Sequence, residues 1–206
     1  ENPKKRETFK LPNHDETFVT IASDKEAPFS QVQIMYKDKF EAPKIKTTLD
    51  YRESLVKTLF STMINNRLSE LTNKPNPPFV FGSTGYSGTF SRSKNAYQSF
   101  AMTSETGQLN GLKALLEENE RVKRYGFQEG EFERAKKSIM ARWDKTYKDK
   151  DKQESNRIIG EYVNNFLEEE PIPGIEWEYN MTKQYLKTIA LSEINKLINQ
   201  FIHDDN

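Results

Sequence analysis

Cysteine is absent from the 206 residues, and histidine occurs only twice, at His14 and His203. The first absence excludes a disulfide framework and fits the cytosol and the periplasm equally well. The second leaves too few nitrogen donors for hydrolytic zinc, which takes about three protein ligands and keeps one position open. Neither histidine stands in an HxxEH, HExxH or HxxxH spacing, so a metal site would have to be built mostly of carboxylates. Charge of one sign is not in excess either: Lys plus Arg is 31 and Asp plus Glu is 31. That balance disfavours nucleic acid and anionic membrane as partners, since both recruit a basic surplus. No apolar run approaches the roughly 20 residues that cross a bilayer, and Glu1-Asn2-Pro3-Lys4-Lys5-Arg6 lacks the apolar stretch of a signal peptide. The expectation is a soluble polypeptide. What is present, 34% hydrophobic and 12% aromatic residues, suffices for one core, so residues 1–206 read as a single domain.

Two early segments, Glu16 to Ala22 and Gln31 to Lys37, alternate apolar and polar residues and predict strands, with a turn over Asp24 to Pro28. Leu55, Val56, Leu59, Phe60, Met63, Ile64, Leu68 and Leu71 then share one helical face, with Asp50 and Glu53 as a capping-box-like start. Lys74-Pro75-Asn76-Pro77-Pro78 ends that helix. Phe79 to Phe90 and Ala96 to Thr103 predict an antiparallel pair across Ser91-Arg92-Ser93-Lys94-Asn95. Three amphipathic stripes follow: Leu109, Leu112, Leu115, Leu116 and Val122, stopped by Gly126; Phe132, Ala135, Ile139 and Trp143; and Ile158, Ile159, Tyr162, Val163, Phe166 and Leu167. Pro171-Ile172-Pro173-Gly174 breaks the chain before two shorter helices. One spans about Trp177 to Leu186, and the other opens at Ser192 with Ile194, Leu197, Ile198 and Phe201 inward. Strands early and helices late predict an α+β domain, an antiparallel sheet with helices packed on one face.

The glycine-rich run Phe81-Gly82-Ser83-Thr84-Gly85-Tyr86-Ser87-Gly88 lacks the Lys-Ser/Thr pair and following helix of a phosphate loop, so glycines that bend a strand or open its edge are the better account. Glu168-Glu169-Glu170, adjacent at a helix end, do not face one another as a catalytic pair must. Trp143, Tyr147 and Tyr162 read as core aromatics and His14 as a solvated side chain. No catalytic or metal-ligating residue is expected.

Three stretches together resemble the second, non-catalytic domain of the N-terminal half of insulinase/pitrilysin-type zinc metallopeptidases. They are Leu11 to Thr17 with Ile21 to Asp24; Leu59-Phe60 through Asn66 to Leu71 with Asn76 to Phe79; and Glu120 to Phe127 with Glu131 to Lys136, continuing through Asp151 to Ser155 and Glu161 to Ile175. That resemblance implies an α+β fold and a chain cut from a larger protein, behind a catalytic domain that would carry the zinc and the inverted HxxEH motif. None of those catalytic residues is carried over, so no cofactor is expected in this chain.

By the resemblance, the domain encloses peptide or unfolded polypeptide substrates and is inert alone. Its partners are the parent's other domains and the peptide itself, and apolar surface left uncovered by those domains favours self-association. In some members this domain anchors the substrate's N-terminal end on an edge strand, which by position starts here at Phe81, Gly82, Ser83 and Thr84; a strand fully paired within the sheet is the competing expectation. Two rivals stand beside this reading. One is a structural or interaction subunit of the same fold without protease activity in the parent, and the other a carboxylate-dependent hydrolase using helix glutamates. The compartment is periplasmic or cytoplasmic.

Overall fold

The long helix is where sequence and structure agree most closely. In the computed structural model, which describes residue 7 and residues 9–152 and 155–204, α1 (Thr48–Thr72) buries Leu55, Val56, Leu59, Phe60, Met63, Ile64 and Leu68 along one side. Its start lies earlier than expected: Thr47 caps it, accepting from the Asp50 N–H at 3.2 Å, while Asp50 accepts from the Thr47 N–H at 2.8 Å. Glu53 takes no part, because the reciprocal box needs the third residue after the cap.

Three strands, β1 (Ser30–Lys37), β2 (Phe81–Ser91) and β3 (Lys94–Thr103), form an antiparallel sheet in the order β1-β3-β2. Tyr97 of β3 stands opposite Tyr36 of β1 and Tyr86 of β2. Alternation sends Tyr97, Ser99, Ala101 and Thr103 inward, all buried, while Gln98, Phe100 and Met102 face away from the helices. The β2–β3 turn is tighter than predicted, only Arg92 and Ser93 lying between the strands. Five further helices follow: α2 (Gln108–Tyr125), α3 (Glu129–Lys148), α4 (Ser155–Glu168), α5 (Ile175–Tyr185) and α6 (Leu191–Phe201). The main core joins α1, α3, α6 and the sheet around Phe60, Tyr97 and Phe201, whose rings meet 4.9–5.8 Å apart. The fold is α+β, with strands gathered early and helices later.

Four expectations need correction. Glu16 to Ala22 is not a strand: no other strand pairs with it, and Phe18 and Ile21 are 71% and 91% exposed. Alternation expresses fitness for a half-buried sheet surface, which exists only beside a partner strand. The inner face of α2 is rotated from the leucine stripe, burying Gly111, Leu115, Glu118, Asn119 and Val122 while Leu109 and Leu116 are exposed. Glu118 and Asn119 go inside because each finds a partner there. Helix α6 is capped at Ala190, not Ser192, with the Glu193 carboxylate accepting from the Ala190 N–H at 2.8 Å. Finally, α4 forms where its amphipathic pattern falls, but Ile158, Ile159, Tyr162, Val163 and Phe166 face outward, Phe166 being 73% exposed. The helix is tied down at its C-terminal end instead, by Glu168 to Arg92 at 2.8 Å and by Glu169 to Lys44 and Lys46 at 3.0 and 2.9 Å. The signal-peptide reading of Glu1 to Arg6 and the Gln153-Glu154 part of the family-like run lie outside the described residues.

One cation joins three helices. Arg67 of α1 donates from Nε and Nη2 to the two Glu131 oxygens of α3 at 2.6 and 2.8 Å, from Nη1 to Glu118 of α2 at 3.2 Å, and from Nη2 to the Gly126 carbonyl at 3.0 Å. Burial acts to raise the Glu131 pKa, but the Arg67 guanidinium and the Gln128 N–H outweigh it and hold the carboxyl below its ordinary 4.5. A carboxyl that binds its proton more weakly when folded stabilises the fold fully above the unfolded pKa and loses that contribution as pH falls through the folded one. Stability is therefore expected to be level above about pH 5 and to decline below pH 4.5, read from urea midpoints, with Arg67→Met flattening that acid decline. At neutral pH Arg67→Met leaves Glu131 without its guanidinium and Glu118, 2% exposed, with Arg121 at 3.3 Å as its remaining ion-pair partner, and should cost about 3 kcal/mol in the same urea series.

Candidate functional site

The segment Phe81, Gly82, Ser83 and Thr84 opens β2, and among the described residues β2 is an edge of the sheet, pairing with β3 alone. Phe81 lies on the face turned away from the helices, 52% exposed and 6.5 Å from the Phe100 ring. Thr84 points inward and is buried. Gly82 also points inward, where the buried Phe79 ring presses against it: a Cβ there would sit 2.7 Å from a ring carbon. Close approach of the Phe79 ring favours glycine here, a different reason from the bent strand or open edge expected from sequence. Around Gly85 a Cβ would meet nothing within 4 Å, so the strand has open space beyond Gly82.

The peptide group of Thr84 is not left open along that edge. Its N–H donates to Asn65 Oδ1 at 2.7 Å, and its carbonyl accepts from Asn65 Nδ2 at 2.9 Å. Both groups therefore point away from β3, and the two-residue alternation of an antiparallel ladder turns the peptide groups of Gly82 and Tyr86 the same way. Sequence reasoning missed Asn65. A signal existed: asparagine is a poor helix former, and one set in the middle of α1 beside Ile64 breaks local preference without an evident compensation in sequence.

Further along β2, Tyr86 stacks on Phe201 at 4.4 Å and donates its hydroxyl proton to the Asp38 carboxylate. Burial and then that carboxylate push the Tyr86 hydroxyl pKa upward, while burial raises Asp38 against the hydrogen bond. Lys57 stands 4.8 Å over the Tyr86 ring.

The other groups weighed from sequence are scattered. His14 lies 2.6 Å from the Glu16 carbonyl and packs on Phe18, and the His203 ring stands edge-on to Tyr36. Glu169 is drawn down to a pKa of about 2 by its two lysines and holds the end of α4. Trp143 packs against the core, Tyr147 stacks on Tyr179 at 4.4 Å, and Tyr162 is exposed rather than core. No three His, Asp or Glu side chains converge as a metal site among the described residues, and the donor set does not fit a zinc ion.

A protein named "Zinc protease PQQL-like" from Arabidopsis thaliana is 27% identical over 194 residues, 94% of this chain and 17% of that protein. The first half of the periplasmic protease PqqL from Escherichia coli shares the fold with a TM-score of 0.76 at 13% identity, over 86% of this chain and 38% of the other. In sequence and in fold the chain thus resembles zinc proteases of this kind. A predicted insulinase family protease from Yersinia pestis matches with a TM-score of 0.72 at 11% identity, again over 86% of this chain and 38% of the other. No family model matches the sequence. The chain thus spans a small part of the insulinase-type proteins it resembles. Among the described residues no helix is long and apolar enough to cross a membrane.

The contact at Gly82 generates a direct expectation. Gly82→Ala drives a methyl group into the buried Phe79 ring and should lower stability by about 1–3 kcal/mol in urea unfolding, whereas Gly85→Ala, facing open space, should stay within about 1 kcal/mol of wild type.

Proposed function

We propose that this chain is a substrate-enclosing, non-catalytic domain of an insulinase-type zinc endopeptidase, acting on peptides or unfolded polypeptides and inert in isolation. The observation that carries this reading is the position of β2 at the sheet edge, with Phe81, Gly82, Ser83 and Thr84 at its start. An edge strand offers main-chain donors and acceptors to an extended peptide irrespective of its side chains, which suits an enzyme that takes many sequences. Exposed Phe81 would favour an apolar residue on the facing peptide. Peptide-bond cleavage, and the zinc that drives it, belong in this reading to another domain of the parent, which supplies the ligand set these residues do not.

The outward apolar face of α4 favours a second reading: a structural or interaction subunit of the same fold, whose parent has no protease activity. In either reading that face is where another domain of the parent packs. Reading the parent gene for an HxxEH motif ahead of this segment separates the two, since its presence fits the protease and its absence the scaffold.

The peptide-anchoring role is tested on the chain itself. Titrating the 15N-labelled chain with an eight-residue peptide of alternating valine and threonine should shift the amide signals of Phe81, Gly82, Ser83 and Thr84, with no cleavage of the peptide and no effect of chelator. An absence of shifts there would remove the edge-strand role, and chelator-sensitive cleavage by the chain alone would remove the non-catalytic one.

A further inference from the structure

The central peptide group of the β2 edge is already occupied by a side chain. Asn65 meets it with both halves of its carboxamide, the oxygen accepting from Thr84 N–H at 2.7 Å and the nitrogen donating to Thr84 C=O at 2.9 Å. A carboxamide carries one acceptor and an N–H donor set as in a peptide unit, so it fills the two positions that one residue of an added strand would take. Asn65 Oδ1 also lies 3.3 Å from the Thr84 hydroxyl, a third link to the same residue.

The place of this contact matters more than its strength. Outward-facing residues recur every second position, so the edge presents Gly82, Thr84 and Tyr86 in turn. A peptide laid along β2 from Gly82 to Tyr86 must cross Thr84. With Asn65 in place it either stops at one outward residue or displaces the carboxamide. Asn65 comes from α1, whose apolar face is buried against the sheet, so backbone movement of the helix is not an available release. Rotation of the side chain is, because Asn65 is only half-buried.

We infer that Asn65 is a clasp that closes the β2 edge and must let go of Thr84 before an extended peptide can pair along it. The inference rests on the edge-strand reading of β2 and adds to it a regulating residue on α1. In the free domain the clasp covers an edge that would otherwise pair with any exposed strand. In the loaded state peptide main chain takes over its two hydrogen bonds, so the exchange is nearly balanced and binding is moderated without being prevented.

The test uses the labelled chain, the alternating valine–threonine octapeptide, and the variants Asn65→Ala and Asn65→Ser. Removing the carboxamide is expected to tighten peptide binding roughly tenfold, the equivalent of two modest hydrogen bonds that need not be displaced. Without peptide, exchange of the Thr84 amide hydrogen should quicken roughly tenfold while buried amides of α1 such as Leu59 keep their protection. Equal affinity in wild type and variants, with shifts still centred on Phe81 to Tyr86, would overturn the clasp and leave the edge-strand reading standing. Unchanged Thr84 exchange in both variants would overturn the clasp by a route independent of peptide. No shifts at β2 in any of the three proteins would overturn the edge-strand reading, and the clasp with it. Should Asn65→Ala fail to fold, Asn65→Ser, which keeps a polar group too short to bridge both atoms, carries the same comparison.

Discussion

A single planar cation holds the helices in the arrangement on which everything else depends. Arg67 presents five N–H donors in a fixed plane, and the fold spends them on two carboxylates and a carbonyl from different parts of the chain, with the Phe127 ring 4.9 Å from the guanidinium carbon. A buried charge is tolerable only when so fully answered. The demand runs outward from there. Glu118 must turn inward to meet Arg67, which sets the rotation of α2, and that rotation brings Asn119 to the buried hydroxyls of Tyr97 and Ser99 at 2.9 and 3.3 Å. The sheet and the helix layer are thereby registered against each other by polar contacts within an otherwise apolar core. Gly126, with φ of +66°, ends α2 so that its carbonyl reaches the same guanidinium.

The second tie acts between the ends of the layer. Arg52 near the start of α1 makes a two-pronged contact with Glu193 of α6 at 2.7 and 2.9 Å, and Tyr51 beside it bonds Thr182 of α5 at 2.9 Å, burial pushing its hydroxyl pKa up to about 12. Helix α1 is thus gripped at its first turn by α5 and α6 and four fifths along by α2 and α3. Between those grips lies the face that carries Asn65 to the sheet edge. A helix free to slide would not keep a carboxamide within hydrogen-bonding reach of both the N–H and the C=O of Thr84.

Periodicity found α1 to α6 and the three paired strands, because a long apolar stripe is a property of the segment itself. The face of α1 was legible residue by residue, because every fully buried residue on it is apolar. The face of α2 was not, since two polar residues, Glu118 and Asn119, outcompete Leu109 and Leu116 for the interior once Arg67 and Tyr97 are there to receive them. The stripe on α4 and the alternation of Glu16 to Ala22 show the opposite failure. Pattern declares that an apolar face exists, but what covers it depends on neighbours, and the interior here is closed by α1, α2, α3, α5 and α6 before α4 can contribute. Of the candidate site, Phe81 to Thr84 came from resemblance rather than from physics; the Phe79 ring against Gly82 was not foreseen, and of the Asn65 contact only the asparagine set in a helix was readable, because its partner Thr84 is 19 residues away on another element.

An exposed strand edge is a hazard for a free domain and a necessity for a peptide-binding one, and on the proposed reading of β2 the same few atoms meet both demands. Proteins that never open an edge protect it with a bulge, a proline or a covering helix, devices built into the backbone and costly to undo. Here the protection at Thr84 consists of one neutral side chain making two hydrogen bonds of ordinary length, each worth about 0.7 kcal/mol net against water. That is enough to favour the closed edge over chance pairing with a passing strand. It is small beside the several main-chain hydrogen bonds an extended peptide would add along Gly82, Thr84 and Tyr86, so on that reading an extended ligand would displace the side chain where a single stray contact would not. Placing the carboxamide on α1, the most firmly held element of the domain, keeps it in reach of Thr84 whenever the edge is empty, and this ties the behaviour of the edge to the buried cation that holds the helix.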